Sequence, residues 1–342
     1  MIITQTPLRI SFLGGGTDYP EHFEKHGGAV LGTAVDKSAY FSMSPFFSKM
    51  FDHSIQIAYR KVECVSSIDE LEHAPFRECL RWAGLTKDIE ITHAAELPAF
   101  TGLGSSSSFV VGLLNTIYAF RRRLVPRLDL AYEAIEIERK VLNESVGCQD
   151  QTFAAVGGFN LIEFRSMGNF AVHRIPFTNS RLEEFEDHLL VFFTGIKRRA
   201  EELAARQVKR MGQNRQRLVE MRGLVDEGYD VLAGGGDLTA FGELLHRSWL
   251  LKRELDSAIS NDTIDEVYQA GLEAGALGGK LLGAGGGGFL LLFVPPDRRA
   301  AVELRLGHLQ QVDFRVNAPG SQVVHCGTDG RQRTRIQRRE AV

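Results

Sequence analysis

The sequence predicts a mixed α+β fold. Residues 1–45 alternate apolar and polar positions as strands do, while residues 129–144 carry Leu130, Ala134, Ile137 and Val141 at helical spacing. The 342 residues are enough for one large or two medium domains. In order, residues 8–12, 28–35, 39–43 and 55–59 read as strands and residues 68–83 as a helix. A strand at 89–92 leads through Leu97-Pro98 to a glycine- and serine-rich segment, and residues 109–118 read as a buried helix. Residues 159–164 and 170–175 form a strand pair around Met167-Gly168-Asn169. The apolar strand 188–194 begins a second lobe. A charged helix follows over 200–222, and Gly234-Gly235-Gly236-Asp237 separates it from a helix over 238–259. Residues 289–294 are a buried strand, and the polar, basic stretch 331–342 is a frayed tail. The pattern sets the class and leaves the topology open.

Composition is ordinary for a globular protein. Hydrophobic content is 44%, charged content 24% and net charge −3, which gives no electrostatic case for nucleic acid or a membrane as partner. Cys64, Cys79, Cys148 and Cys326 lack CxxC spacing, which argues against structural zinc or a disulfide scaffold and for a reducing cytoplasm. The first residues lack the basic and apolar regions of a signal peptide, and the longest apolar runs are too short to span a bilayer. His22 and His26 stand four residues apart without a third ligand nearby.

Gly102-Leu103-Gly104-Ser105-Ser106-Ser107-Ser108 opens a helix. Glycines let backbone N–H groups close on an anion, and a helix N-terminus adds unpaired donors with partial positive charge. No Lys follows, so this is not a GxxxxGK[ST] loop. Alone, the segment reads equally as a capped helix after a flexible loop. Two further segments frame it: Pro7-Leu8-Arg9-Ile10-Ser11-Phe12-Leu13-Gly14-Gly15-Gly16-Thr17-Asp18-Tyr19, and Gly278-Gly279-Lys280-Leu281-Leu282-Gly283-Ala284-Gly285-Gly286-Gly287-Gly288.

Those three motifs, in that order, resemble the GHMP kinase superfamily (galactokinase, homoserine kinase, mevalonate kinase and phosphomevalonate kinase), from about Thr6 to His325. The resemblance implies a ribosomal-protein-S5-like N-terminal lobe over 1–185 with the ATP-binding loop. It implies a ferredoxin-like C-terminal lobe over 186–330, a site between the lobes, and a flexible tail over 331–342. It assigns Thr101, Gly102, Leu103, Gly104, Ser105, Ser106 and Ser107 to ATP. Ser106 and Glu138 become ligands of Mg²⁺, a hard cation suited to an oxygen-only set. Asp150, after the glycine turn at Gly147, becomes the general base, and Arg9 points beside it to stabilise transition-state charge. Without the resemblance, Glu138 would be a surface helix acid and Arg9 a strand residue in a salt bridge.

Gly15, Gly16, Thr17 and Asp18, with Gly285 and Gly286, are assigned to the acceptor; three glycines admit close approach, and Asp18 can accept from two adjacent hydroxyls. Asp18 also reads as a cap for the helix near Pro20. Galactokinases carry Gly-Glu-His-Thr-Asp-Tyr where this chain has Gly14-Gly15-Gly16-Thr17-Asp18-Tyr19. Leu8 and Cys148 also depart from the usual residues. The pattern through Val35-Asp36-Lys37, Gln149-Asp150-Gln151, Gly157-Gly158-Phe159-Asn160 and Phe192-Phe193-Thr194-Gly195 is similar to bacterial D-glycero-D-manno-heptose 7-phosphate kinases. These phosphorylate the anomeric hydroxyl to the 1,7-bisphosphate. Lys37, Lys197, Arg198 and Lys280 are cation candidates for a distal phosphate. The alternatives are a galactokinase- or fucokinase-like enzyme, a decarboxylase of the mevalonate diphosphate type, and a non-catalytic sugar sensor. Ser106, Glu138 and Asp150 weigh against the sensor, and the sugar-like GGGTD and DQ pairings weigh against the decarboxylase.

Overall fold

A computed structural model describes residues 1–98, 102–196 and 200–327. The tail 331–342, Thr101, Lys197 and Arg198 lie outside the described residues. The chain begins with β1 (Ile2–Leu13), α1 (Pro20–His26) and β2 (Gly28–Pro45). The two strands predicted at 28–35 and 39–43 are one strand of 18 residues. It changes partner along its length, so one continuous strand serves two neighbours. Its N-terminal half pairs with β6 (Phe159–Ser166) and its C-terminal half with β5 (Ile89–Ala95). Parallel pairing of β3 (Ile55–Ala58) with β5, then β4 (Val62–Val65) on β3 and β7 (Asn169–Arg174) on β6, extends this sheet. Packed around it are α2 (Ala74–Trp82), α3 (Ser105–Phe120), α4 (Arg127–Glu136) and α5 (Gln149–Val156).

After α6 (Asn179–Asp187), β8 (Leu189–Phe193) opens a second, antiparallel sheet. Next come α7 (Ala200–Arg210), α8 (Arg215–Ala233), α9 (Thr239–Arg253) and α10 (Asp262–Glu273). The chain then adds β9 (Gly278–Leu281), β10 (Phe289–Phe293), α11 (Arg299–Arg305) and β11 (Gln310–Gln311). The sheet order is β11-β8-β10-β9. Finally β12 (Gln322–Cys326) returns to pair antiparallel with β1, closing an eight-stranded first sheet. The two-lobe α+β expectation holds.

The halves share one core. Ile10 and Phe12 of β1 belong to the same buried cluster as Phe241 of α9 and Leu291 and Phe293 of β10. The Phe12 ring stacks on Phe159 at 5.3 Å and meets Phe185 and Phe241 edge-on at 5.4 and 5.7 Å. Full burial of each such ring contributes roughly 1.5–3 kcal/mol. This junction holds β1, and everything β1 carries, against both halves.

Four helix predictions need correction. Residues 68–83 divide into a short turn and α2, with Pro75 in the first turn of the helix. Residues 200–222 divide at Met211-Gly212-Gln213-Asn214, where Gly212 weakens the helix and the Asn214 amide instead donates to Leu255 O at 2.9 Å. Residues 238–259 stop as a helix at Arg253. The helix predicted over 129–144 starts at Arg127 and ends in a π-turn, Ile137–Val141, closed by Leu142 N–H to Ile137 O at 2.8 Å. The wide turn leaves Val141 exposed and buries Glu138 completely. Such turns occur often at functional sites.

Candidate active site

Arg9 stands in β1 where pairing with β2 is irregular, with register shifts between Pro7 and Arg9 and between Ser11 and Leu13. Bulges of this kind re-aim side chains. Its guanidinium grips Asp150 with both arms: Nε donates to Oδ1 and Nη2 to Oδ2, each at 2.7 Å. The third arm, Nη1, donates to Gly102 O at 2.7 Å, and the Arg9 N–H donates to Leu103 O at 3.1 Å. One arginine thus ties the glycine-serine loop to the acid. The Arg9 side chain is 5% exposed and that of Asp150 26%, so the pair lies at the edge of solvent.

Gly104 caps α3 in the left-handed conformation at φ 72°. A Cβ there would stand 3.2 Å from both Arg9 Cγ and Asp150 Oδ2. The left-handed conformation favours glycine, and a Cβ would crowd both side chains. The first intrahelical bond runs from Ser108 N–H to Gly104 O, so the N–H groups of Ser105, Ser106 and Ser107 precede it. Ser106 is exposed, Ser105 half-buried and Ser107 buried. Leu103 sends its side chain into the core and contributes only backbone. The Ser108 hydroxyl donates to Pro7 O at 2.8 Å.

Glu138 is fully buried. The Ser107 hydroxyl lies 3.0 Å from each of its oxygens, and Gln151 donates to Oε2 through its side-chain amide. Burial pushes its carboxyl up to about 8, against the hydrogen bonds from Gln151 and Ser107. Among the described residues no cation pairs with it. Sequence reasoning named Ser106 beside Glu138; the serine that touches Glu138 is Ser107. Ser107 and Gln151 were missed as its partners because the π-turn that aims Glu138 inward has no signal in the helical pattern.

The loop at 14–18 packs against the start of α5. Asp18 is 1% exposed. Its Oδ1 accepts from Gly16 N–H at 2.9 Å and its Oδ2 from Gln149 N–H at 3.2 Å. A Cβ on Gly147 would stand 2.0 Å from Oδ2, so only glycine fits there. Burial raises the Asp18 carboxyl, the charge of Asp150 adds to this, and the backbone donors oppose it. Asp18 thus caps α5 rather than the helix at Pro20. The Thr17 hydroxyl is buried and lies 2.8 Å from both Gly14 O and Ala29 O, anchoring the loop to β2 instead of facing the cleft. Gly15 and Gly16 are half-buried.

The third glycine loop meets the first. A Cβ on Gly283 would lie 2.5 Å from Gly102 Cα. Gly285 and Gly286 are buried against Ile259, with Gly286 N–H donating to Ile259 O at 2.8 Å. Lys280, a cation candidate for a phosphate, is 2% exposed and donates to Phe12 O at 2.8 Å; it is an interior residue, held well below the ordinary lysine range by burial. Lys37 pairs with Asp36 at 3.2 Å. Lys252 of α9 was not anticipated. It is 6% exposed, donates to Gly283 O, and burial lowers it to about 8 with the charge of Arg9 adding to the effect. A lone lysine in a charged helix carries no sequence signal for such a position.

The loop at the N-terminus of α3, the acid clamped by Arg9 and the buried Glu138 make up the candidate site. The GHMP kinases N terminal domain matches residues 70–158 and the GHMP kinases C terminal domain residues 229–309. The chain belongs to the GHMP kinases, ATP-dependent phosphotransferases. It is 26% identical over 327 residues to a D-glycero-alpha-D-manno-heptose 7-phosphate kinase of Campylobacter jejuni, covering 92% of this chain and 96% of that one. It is 27% identical to an L-fucokinase/L-fucose-1-P guanylyltransferase of Bacteroides fragilis, covering 88% of this chain and 35% of that one. Among solved structures it resembles a D-glycero-D-manno-heptose 1-phosphate kinase of Bacteroides thetaiotaomicron, with TM-score 0.79 and 24% identity over 96% of this chain and all of that one. That likeness shows the fold. Among the described residues, no helix is long and apolar enough to cross a membrane.

Proposed function

We propose that this chain is a sugar kinase transferring the γ-phosphoryl group of ATP to the anomeric hydroxyl of D-glycero-D-manno-heptose 7-phosphate, giving the 1,7-bisphosphate. The observation that carries the reading is the first turn of α5. Gln149 N–H holds the Asp18 carboxylate, and the next residue, Asp150, takes the Arg9 guanidinium. One helix end thereby anchors the acceptor loop through the buried Asp18 and fixes the acid suited to a hydroxyl proton. The Campylobacter relative and the Gly15-Gly16 replacement of the galactokinase Glu-His pair support the heptose.

In this mechanism the N–H groups of Ser105, Ser106 and Ser107, with the loop from Thr101 to Gly104, bind the triphosphate. Asp150 accepts the acceptor hydroxyl's proton. Arg9 fixes Asp150 in place and offsets charge as the phosphoryl group moves. A loose transition state needs little proton removal early, so an acid clamped by a guanidinium remains adequate. Glu138 and the exposed Ser106 hydroxyl would hold Mg²⁺; the donor set is all oxygen, and a buried carboxylate with only neutral partners calls for a cation. A Mg²⁺ held by these residues would supply charge neutralisation to the nucleotide phosphates. We assign the phosphate loop to the lobe expected over 1–185 and the third glycine loop to the lobe expected over 186–330, from which β12 departs to join β1 in the first sheet, and the reaction to the cytoplasm.

ADP release measured across free heptose, heptose 7-phosphate, galactose, fucose and mannose tests this. The expected kcat/KM ratio of heptose 7-phosphate to free heptose is on the order of 10² or more, since about 2.7 kcal/mol of lost contact gives that factor. The new phosphate should be released by mild acid. Equal or better kcat/KM with galactose or fucose would leave the kinase standing and replace the heptose with the second reading, a galactokinase- or fucokinase-like enzyme.

A further inference from the structure

Lys252 is a buried charge that the transfer step leaves unused. It is the penultimate residue of α9 and is 6% exposed. Its ammonium donates to Gly283 O and, at 3.4 Å, to Leu281 O. Among the described residues its hydrogen-bond partners are backbone carbonyls alone. Burying an ammonium without a paired carboxylate costs several kcal/mol. A methionine would fill similar space without that cost, so packing alone does not account for the charge.

What the ammonium holds is the segment against which the phosphate loop rests. Gly102 and Gly283 have φ 84° and 75°. A Cβ on Gly102 would stand 2.5 Å from Leu282 O, and one on Gly283 would stand 2.5 Å from Gly102 Cα. Backbone therefore rests on backbone, with no side chain between to set the spacing. Leu281 and Gly283 flank Leu282, so the two bonds from Lys252 bracket the residue whose carbonyl meets Gly102. Leu103 and Leu282 bury their side chains in one core cluster beside this contact. Gly102 O in turn accepts from Arg9 Nη1 at 2.7 Å, and the same guanidinium grips Asp150. Three residues after Gly102, Ser105 starts α3, so a shift at this contact passes directly to the helix N-terminus.

We propose that Lys252 is a positioning residue: by tying Leu281 and Gly283 it fixes the third glycine loop as a seat for Gly102, and so sets where the loop at 102–107 meets the triphosphate. The proposal rests on the kinase reading and is independent of which sugar is the acceptor. Lys252 acts from the interior, through backbone, and not by contact with the nucleotide. Reacting groups misplaced by about 1 Å lose up to about 10²-fold in rate, so a seat of this kind matters to a loop that binds through backbone N–H groups.

The test uses the full-length protein and the variants Lys252→Met and Lys252→Gln. Calorimetric titration with ATP and Mg²⁺ gives the nucleotide Kd without any sugar. ADP release with the sugar of highest kcat/KM gives both KM values and kcat. Replacing a buried charge by an apolar side chain is often neutral or stabilising, so Lys252→Met should melt no lower than the parent at about pH 7.5. Its Kd and KM for ATP should nevertheless rise about 10-fold or more, with the sugar KM within about twofold and kcat within about threefold. Lys252→Gln keeps one neutral donor and should fall between, and it keeps the test open should Lys252→Met fold poorly. A lysine serving stability alone would move the melting temperature and leave ATP affinity unchanged. An ATP Kd within about twofold of the parent in a folded variant would therefore overturn the proposal. Loss of the fold in both variants would overturn it too, since the lysine would then be required by the structure as a whole. A parent that binds no ATP would overturn the kinase reading and the proposal with it.

Discussion

Asp150 and Glu138 are acids of the same cleft region treated in opposite ways. Asp150 is partly exposed and receives two charged hydrogen bonds from Arg9. Lys252 is close enough for Asp150 to act on it electrostatically. Glu138 is wholly buried, receives only the neutral donors of Ser107 and Gln151, and is raised to about 8 by burial. Removing a carboxylate from water costs several kcal/mol unless charge nearby compensates. Around Asp150 the protein supplies that compensation itself. Around Glu138 it does not, and an external cation is the natural complement. The contrast separates an acid paired with the protein's own cation from a buried acid that meets only neutral partners.

The sharpest way to break this contrast is Asp150→Asn. The amide keeps the shape and loses the charge, so the proton has no acceptor and Arg9 no counterion. We expect kcat to fall by about 10²–10⁴-fold, the range for a positioned general base. Circular dichroism should show an unchanged fold. Near-parental ADP release from the purified variant would remove Asp150 from the mechanism.

Glu138→Gln tests the other half, with a smaller effect. A neutral amide is a poor ligand for a hard cation, so half-saturation with Mg²⁺ should shift upward by about 10-fold or more, with sugar binding nearly unchanged. Initial rates over a Mg²⁺ titration measure this. An identical titration curve would make Glu138 a structural buried acid, paired with Ser107 and Gln151 for packing alone.

The two acids were unequally legible in the sequence. Arg9 and Asp150 lie in local motifs whose resemblance to the family implied their meeting, and the chain brings the two side chains together. The contact of Glu138 with Ser107 depends on a π-turn, and a single extra residue in one turn leaves the apolar periodicity almost intact up to Ile137. Lys280 sits in a recognisable glycine motif and reads as a surface cation, yet its strand is buried throughout. Arg9, Asp150 and Lys252 come from three distant segments, and only the packing of β1, α5 and α9 brings their charges close to one another. The two α+β halves were visible from periodicity. The return of β12 to β1 was not, because a short strand with exposed Val323, Val324, His325 and Cys326 has no apolar face to announce it.

Lys252 offers the finest test, with the smallest expected effect on turnover. Burial lowers it from 10.5 to about 8; Arg9 contributes to the lowering, while Asp18 and Asp150 oppose it. Between those values the unfolded chain binds this proton and the folded chain does not, so stability from this group rises with pH across that window. Below about pH 8 both states are protonated, and the full cost of the buried charge is present. The span amounts to roughly 3 kcal/mol at about 1.4 kcal/mol per unit. Other groups titrate in the same range, and comparison with Lys252→Met cancels them. Urea unfolding at about pH 7.5 and about pH 10 should show the parent gaining stability relative to Lys252→Met by on the order of 2 kcal/mol. A parent and variant that change in parallel would mean that Lys252 is not held as a depressed cation. The positive surplus on the Asp150 side would then rest on Arg9 alone, narrowing the difference between the two acids to a single guanidinium.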